Sequence, residues 1–407
     1  MAIQQNAGEL IPELEKYQAP LIAIGVAGIV VGASASALTS NGATQFFASY
    51  LMAYFFVLGI TLGCLALGMT HQLSGGAWGV VLRRPIGAAT RVLPILTLLF
   101  IPVLIGMPHL YVWTHADVVA RDELLQHKHL YLNTPFFVIR AIVYFAIWNG
   151  VSFLLNSWSL QQDRTGDPRI ARRMQRLSAG GLVLYALTIT FASFDWLMSL
   201  APDWFSTIYG VIVIGGQGLS ALAFLILAIA WLSRRPPLDE IIVSEHFHDA
   251  GNLTLAFVML WAYFAFSQYL IIWAGNLPKE ISWYQHRLQT GCRVIGILLV
   301  VFHFAVPFLV LLSRTVKKQA ALLARVAAAI LVARLVDLFW LIAPEFHPAG
   351  ISISFLDVLL PVSMFSLWLG CFIRNLRGRA ILPVYDPEFD ETLGPLVDRA
   401  SREPLNP

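Results

Sequence analysis

The stretch ATQFFASYLMAYFFVLGITLGCLALGM, from Ala43 to Met69, decides the fold. It contains no Asp, Glu, Lys or Arg, and the uncharged run around it reaches from Lys16 to Arg83. A helix crosses a hydrocarbon core of roughly 30 Å in about 20 residues, so this segment can span a bilayer. Two further uncharged runs, between Asp203 and Arg234 and between Asp249 and Lys279, read the same way. The 407 residues are 57% hydrophobic and 13% charged, with a mean hydropathy of +0.69. Soluble domains carry roughly 25% charged residues. A soluble enzyme, a disordered chain and a nucleic-acid-binding chain are thereby excluded.

Working outward, apolar runs bounded by charge, Pro or Gly give ten expected spans: 19–39, 43–69, 86–107, 134–157, 179–200, 207–232, 252–275, 291–313, 323–343 and 352–374. Inside lipid every backbone group must be satisfied within its own segment, so an all-α polytopic membrane protein of ten transmembrane helices follows. Residues 1–18 and 375–407 are the expected tails of a membrane domain at 19–374. Of 27 Lys and Arg residues, 18 fall in the two tails and the even-numbered loops, counting Arg374 at the end of the last span, and 4 fall in the odd-numbered loops. That bias predicts both termini in the cytoplasm. Glu9, Glu13 and Glu15 precede the first span where a signal peptide would carry basic residues, so that span is expected to be retained.

The net charge of +3 implies no polyanionic partner. Cys64, Cys292 and Cys371 are far apart and lack metal-ligand spacing, which predicts neither disulfides nor an iron–sulfur or zinc site. The third loop carries His109, His115, His127 and His129 beside Asp117, Asp122 and Glu123 without an HxxxH or HExxH pattern, and is read as a solvated or partner-facing loop. The fourth loop, DRTGDPRIARRMQR from Asp163 to Arg176, is read as an orientation signal. A haem held across a bundle needs two facing histidines, and only His303 lies at membrane depth. No P-loop is present.

Ionisable residues at membrane depth are the functional candidates. At 1.5 Å per residue, Arg334 lies roughly 16 Å and Asp337 roughly 21 Å above the cytoplasmic edge, and Asp357 about 22 Å. Asp337, Asp357, Arg334 and His303 are therefore expected to form one constellation, either a charge-compensated structural cluster or a proton path. Asp195 and Arg140, whose depths differ by about 4 Å, are expected to form an ion pair. Tyr144, Trp148, Trp196 and Trp204 around them read as an interfacial belt or as a pocket lining.

Several segments resemble one family. They are GGAWGVVLRR (Gly75 to Arg84), YLNTPFFVIR (Tyr131 to Arg140), SFDWLMSL (Ser193 to Leu200), DWFSTIYG (Asp203 to Gly210), WAYFAFSQYLIIWAGNLPKE (Trp261 to Glu280) and HFAVPFLVLLSR (His303 to Arg314). They look like the ActF subunit of bacterial alternative complex III, the quinol:cytochrome c oxidoreductase, a relative of the NrfD/PsrC membrane subunits. The resemblance covers about residues 20 to 375. It implies two four-helix bundles, about 43–200 and 207–343, flanked by the first and last helices, in the bacterial cytoplasmic (inner) membrane. It further implies a subunit that is not catalytic alone and holds no covalent or metal-ligated cofactor of its own. Quinol or menaquinol is the implied ligand, with Asp195 as the carried-over acid. Implied partners are a larger NrfD-like subunit, a multihaem cytochrome c, an iron–sulfur subunit holding clusters, smaller membrane subunits, lipids and a terminal oxidase, with no nucleic acid. The competing expectations are a stand-alone secondary transporter or proton/ion channel using the buried carboxylates, and a structural anchor without chemistry.

Overall fold

The computed structural model describes residues 12–39, 41–235, 238–289, 291–347, 350 and 352–377. The expected tails lie outside these residues except for 12–18 and 375–377. Among the described residues the structure is all-helical, with ten helices long and apolar enough to cross a membrane. They are α1 (Leu14–Ser36), α2 (Gly42–Ser74), α3 (Trp78–Ile105), α4 (Thr134–Thr165), α5 (Pro168–Leu200), α6 (Tyr209–Leu232), α7 (Ser244–Gly275), α8 (Cys292–Leu312), α9 (Ala320–Phe346) and α10 (Leu356–Leu376). The chain is a multi-pass membrane protein.

Several helices outrun the apolar segments that predict them, because helix continues past the hydrocarbon layer wherever capping residues permit. The fourth loop is an example. Asn133 caps α4 by accepting from the Phe136 N–H at 2.9 Å, and α4 runs on to Thr165. There Gly166 takes a left-handed φ of 63°, and the Asp167 side chain accepts from the Arg169 N–H at 2.8 Å to start α5 at Pro168. The segment read as a loop is thus two helix ends joined by one turn. The third loop is also helical in short pieces, and Asp122 caps one of them at Glu123–Lys128. That cap is a local structural role for one of its acidic residues.

Two spans are irregular for reasons of proline. In α3 the helix is interrupted between Thr90 and Leu93 and again between Leu98 and Ile101, just ahead of Pro94 and Pro102. In α8 the turn Val300–Ala305 is a π-helix, and Pro307 follows it. Pro307 has no N–H to offer the carbonyl of residue 303, and its ring crowds that turn, so the helix widens where His303 sits.

The packing is built around α2 and α6, which are buried along most of their length. α2 packs on α3, α5, α6, α9 and α10, while α6 packs on α2, α5, α7 and α9. α4 lies against α5, α8 against α7 and α9, and α1 against α10. In lipid the gain comes from close van der Waals approach more than from excluding water. Gly63 shows this: a Cβ there would stand 2.1 Å from the Gln217 carbonyl oxygen, so its absence lets α2 and α6 touch backbone to backbone.

Polar contacts sort the loops onto two ends of the molecule. At the near end, Arg377 pairs with Glu15 at 2.9 Å, Arg84 with Asp163 at 2.6 Å and Lys318 with Glu245 at 2.9 Å. At the far end, the Tyr111 hydroxyl donates to the Trp196 carbonyl at 3.0 Å and the Trp204 indole to the Glu280 carbonyl at 3.1 Å.

Candidate functional site

The first charged site joins α4 to α5. Arg140 Nε donates to Asp195 Oδ2 at 2.8 Å and Nη2 to Oδ1 at 2.9 Å, a bidentate pair. The Tyr144 hydroxyl donates to the same Oδ2 at 2.8 Å. The remaining guanidinium nitrogen, Nη1, donates to the Tyr131 carbonyl at 3.0 Å, and the group lies 3.9 Å from the centre of the Tyr131 ring and 4.3 Å from that of Phe136. Asp195 is wholly buried. The predicted ion pair is therefore formed, with donors on both carboxylate oxygens.

Tyr144, Trp148 and Trp196 are buried beside this pair, not arrayed as an interfacial belt. Trp196 packs on Tyr144, Phe145 and Phe100 with ring centres 5.9, 5.6 and 4.5 Å away. The Trp148 indole donates to Thr188 at 2.8 Å. Trp204 instead stacks on Trp283 at 4.6 Å, tying the loop after α5 to the loop after α7.

The second charged site lies where α6, α7, α8 and α9 meet. Arg334 donates from Nη1 to Asp337 Oδ2 one turn along α9, and from Nε to Ser220 Oγ on α6 at 3.4 Å. Both charged residues are buried. Gly216 makes room for the guanidinium: a Cβ there would sit 2.3 Å from Nη2. Trp261 of α7 lies beside the Asp337 carboxylate. Its ring centre is 4.0 Å from that of His303, edge to face. Neither His303 nitrogen nor the Trp261 indole nitrogen has a hydrogen-bond partner of ordinary geometry, although both side chains are buried. A cavity of about 10 Å³ reaches this site, lined in part by Gly59, Gln217, Ser220, Arg334 and Asp337.

Asp357 belongs to neither site, which corrects the grouping expected from depth. Its Oδ1 accepts from Ser49 Oγ at 2.5 Å and Gln45 Nε2 at 3.0 Å, and its Oδ2 accepts from the Ser354 N–H at 2.9 Å. The residues before it are not helical, so α10 begins at Leu356 and Asp357 occupies its first turn. A carboxylate there is stabilised by the positive end of the helix dipole. Its α2 partner Ser49 lies six to ten residues from Phe55 and Gly59, which face the Asp337 cavity, a separation of roughly 9 to 15 Å along the helix. Of the four expected members, Arg334, Asp337 and His303 come together and Asp357 stands apart.

A third arginine went unremarked in the sequence. Arg287, in the helix Pro278–Gln289 at the far end, is 1% exposed. It pairs with Glu345 at 2.9 Å and donates to the carbonyls of Trp283, Trp340 and Leu341 at 3.2, 3.3 and 3.0 Å. The last two lie where α9 passes into its 3-10 end, ahead of Pro344, which has no N–H to offer the Trp340 carbonyl. Burial draws the guanidinium below its ordinary pKa and Glu345 draws it back. Nearby, burial pushes Tyr284 up to about 12 against the opposing hydrogen bond from Gln268.

A sequence signal for this half of the molecule did exist. Asp195 is followed at the same spacing by Ala201, Pro202 and Asp203 as Asp337 is by Ala343, Pro344 and Glu345. The first run follows a 3-10 turn, Met198–Leu200, and the second lies within one, Ala343–Phe346. Gln217, Ser220 and Trp261 carry no such mark. No family model matches this chain, and neither does any curated protein.

Proposed function

We propose that this chain is an integral membrane subunit of a quinol-oxidising respiratory complex of the alternative complex III type, without a redox centre of its own, and that Asp337 is its proton-exchanging group. In this reading α2–α5 and α6–α9 are two four-helix bundles flanked by α1 and α10, with both termini cytoplasmic as the Lys and Arg bias predicts. Quinol oxidation releases two electrons and two protons. The electrons pass to haems and iron–sulfur clusters of partner subunits, and the protons need carboxylates and water.

The observation that carries the proton role is the difference between the two buried aspartates. Asp195 is held by two nitrogens of the Arg140 guanidinium and by a tyrosine, so it acts as a clamp between α4 and α5. Asp337 borders a cavity, and its one cation, Arg334, comes from its own helix. A carboxylate that borders a cavity and shares its site with one cation from its own helix can change protonation without dismantling a helix contact. The complex itself is supported by the resemblance of the six segments, two of which supply Arg140 and Asp195.

Isolation of the tagged chain from its own membranes in mild detergent tests the complex. Haem-bearing and iron–sulfur partners with quinol-dependent reduction of cytochrome c are the expected result. A lone, colourless chain would turn the reading to a transporter using the same carboxylate.

A further inference from the structure

Gln217, on α6, has its two amide atoms in different situations. Its Oε1 accepts from the Tyr185 hydroxyl at 2.7 Å. Its Nε2 is buried and has no partner in the protein, and the residue is 2% exposed. A buried amide N–H without an acceptor is costly, so such a group is expected to meet a bound molecule. The same residue lines the cavity of about 10 Å³ that also meets Ser220, Arg334 and Asp337.

The lining identifies the occupant. A space of this size accepts one water and excludes a larger solute. A metal cation would face the Arg334 guanidinium and the amide hydrogens, and an anion would face the Asp337 carboxylate. Water alone among small ligands can accept from Gln217 Nε2 and donate to a carboxylate or hydroxyl oxygen together. We propose that a single ordered water occupies this cavity and bridges Gln217 on α6 to the Arg334–Asp337 pair on α9. It extends the Tyr185–Gln217 hydrogen bond, which ties α5 to α6, across to α9. The water site rests on the cavity and the amide, so it stands whether or not Asp337 exchanges protons.

Gly59 offers a test of opposite signs. It lines the cavity, and a Cβ added there meets one neighbour within 4 Å, Gln217 Cγ at an ordinary 3.6 Å. Gly59→Ala therefore fills the water's room without displacing protein atoms. Filling a dry void and replacing a helical glycine by alanine both stabilise. Expelling a bridging water leaves Gln217 Nε2 without an acceptor and destabilises. The expected result is a fall of a few degrees in the thermal midpoint of the purified protein on Gly59→Ala, and no fall when the same change is made in a Gln217→Met background. An unchanged or raised midpoint, or an equal fall in both backgrounds, overturns the proposal. Should Gly59→Ala fail to express, a density map of the unsubstituted protein fine enough to show ordered waters decides. Density between Gln217 and Asp337 is expected, and its absence among well-ordered neighbours contradicts the site.

Discussion

Asp195 and Asp337 occupy matching positions in the two halves of the molecule, each one turn or more before an Ala-Pro-acid run at the end of its helix. Their surroundings diverge. Asp195 takes its arginine from a neighbouring helix, α4, and that arginine stands near the start of its helix with Tyr131 and Phe136 against it. Asp337 takes its arginine from its own helix, three residues back, so the ion pair binds no two helices together. What holds the second half at this level is instead Arg287, which reaches from the far-end helix to the last carbonyls of α9 and to Glu345. The comparison teaches that one placement of a buried acid serves as a clamp when its cation comes from another helix. When the cation is local, the acid is left free to do something else.

The largest expected effect separates the two acids. Replacing Asp337 by Leu leaves the buried Arg334 without its carboxylate, with Ser220 as its remaining side-chain partner, and should cost about 3 to 5 kcal/mol of stability. Asp195→Leu strands Arg140, which can turn toward the membrane surface along its aromatic neighbours, so about 2 to 3 kcal/mol is expected. Thermal unfolding in detergent of both variants checks the order. If Asp195→Leu is the more damaging, Arg140 does not find water as this order assumes, and the clamp outweighs the stranded charge. Arg334→Met combined with Asp337→Leu should recover most of the loss, because no charge is then left alone.

Arg287→Leu should cost about 2 kcal/mol through the orphaned carbonyls of α9 and the lost stacking on Trp283, whose ring centre is 3.4 Å away. Protease sensitivity at the far end is a convenient readout, and an unaffected variant would mean that α9 ends without help. Tyr144→Phe removes one hydrogen bond to a carboxylate that keeps two others, so about 1.5 kcal/mol is expected by the same unfolding measurement. A much larger loss would reveal that Tyr144 carries more of the clamp than the arginine. His303→Leu sits at the bottom of the scale. Its nitrogens have no protein partners, so stability should move by less than about 1 kcal/mol, and a larger fall would show a partner that its geometry conceals.

Hydropathy alone located all ten spanning helices, since charge-free runs of this length have no other stable structure in a membrane. It marked only their apolar portions. Hydropathy does not register the Gly166 and Asp167 caps, so it leaves the polar ends of α4 and α5 looking like loop. Depth arithmetic worked for Arg140 and Asp195, which lie on consecutive helices joined at one end. It failed for Asp357, because counting from the apolar run placed the residue inside a helix whose first turn it occupies. Arg287 and Gln217 were illegible for another reason. Arg287 meets the carbonyls of Trp340 and Leu341 and the cavity at Gln217 is shared with α2 and α9, all distant in sequence, and nothing in the sequence fixes how α2, α6 and α9 are rotated about their axes. The Asp-to-Ala-Pro spacing shared by the two halves was open to inspection and would have pointed to the paired aspartates.

The claim that the two aspartates differ in kind is tested most directly by proton release per quinol oxidised, measured on the purified complex in sealed vesicles with Asp337→Asn and Asp195→Asn beside the unsubstituted protein. Loss of proton translocation in assembled Asp337→Asn complex, with translocation retained in whatever Asp195→Asn complex assembles, is the predicted result. Unchanged translocation in Asp337→Asn would contradict the account and leave the second site a structural one.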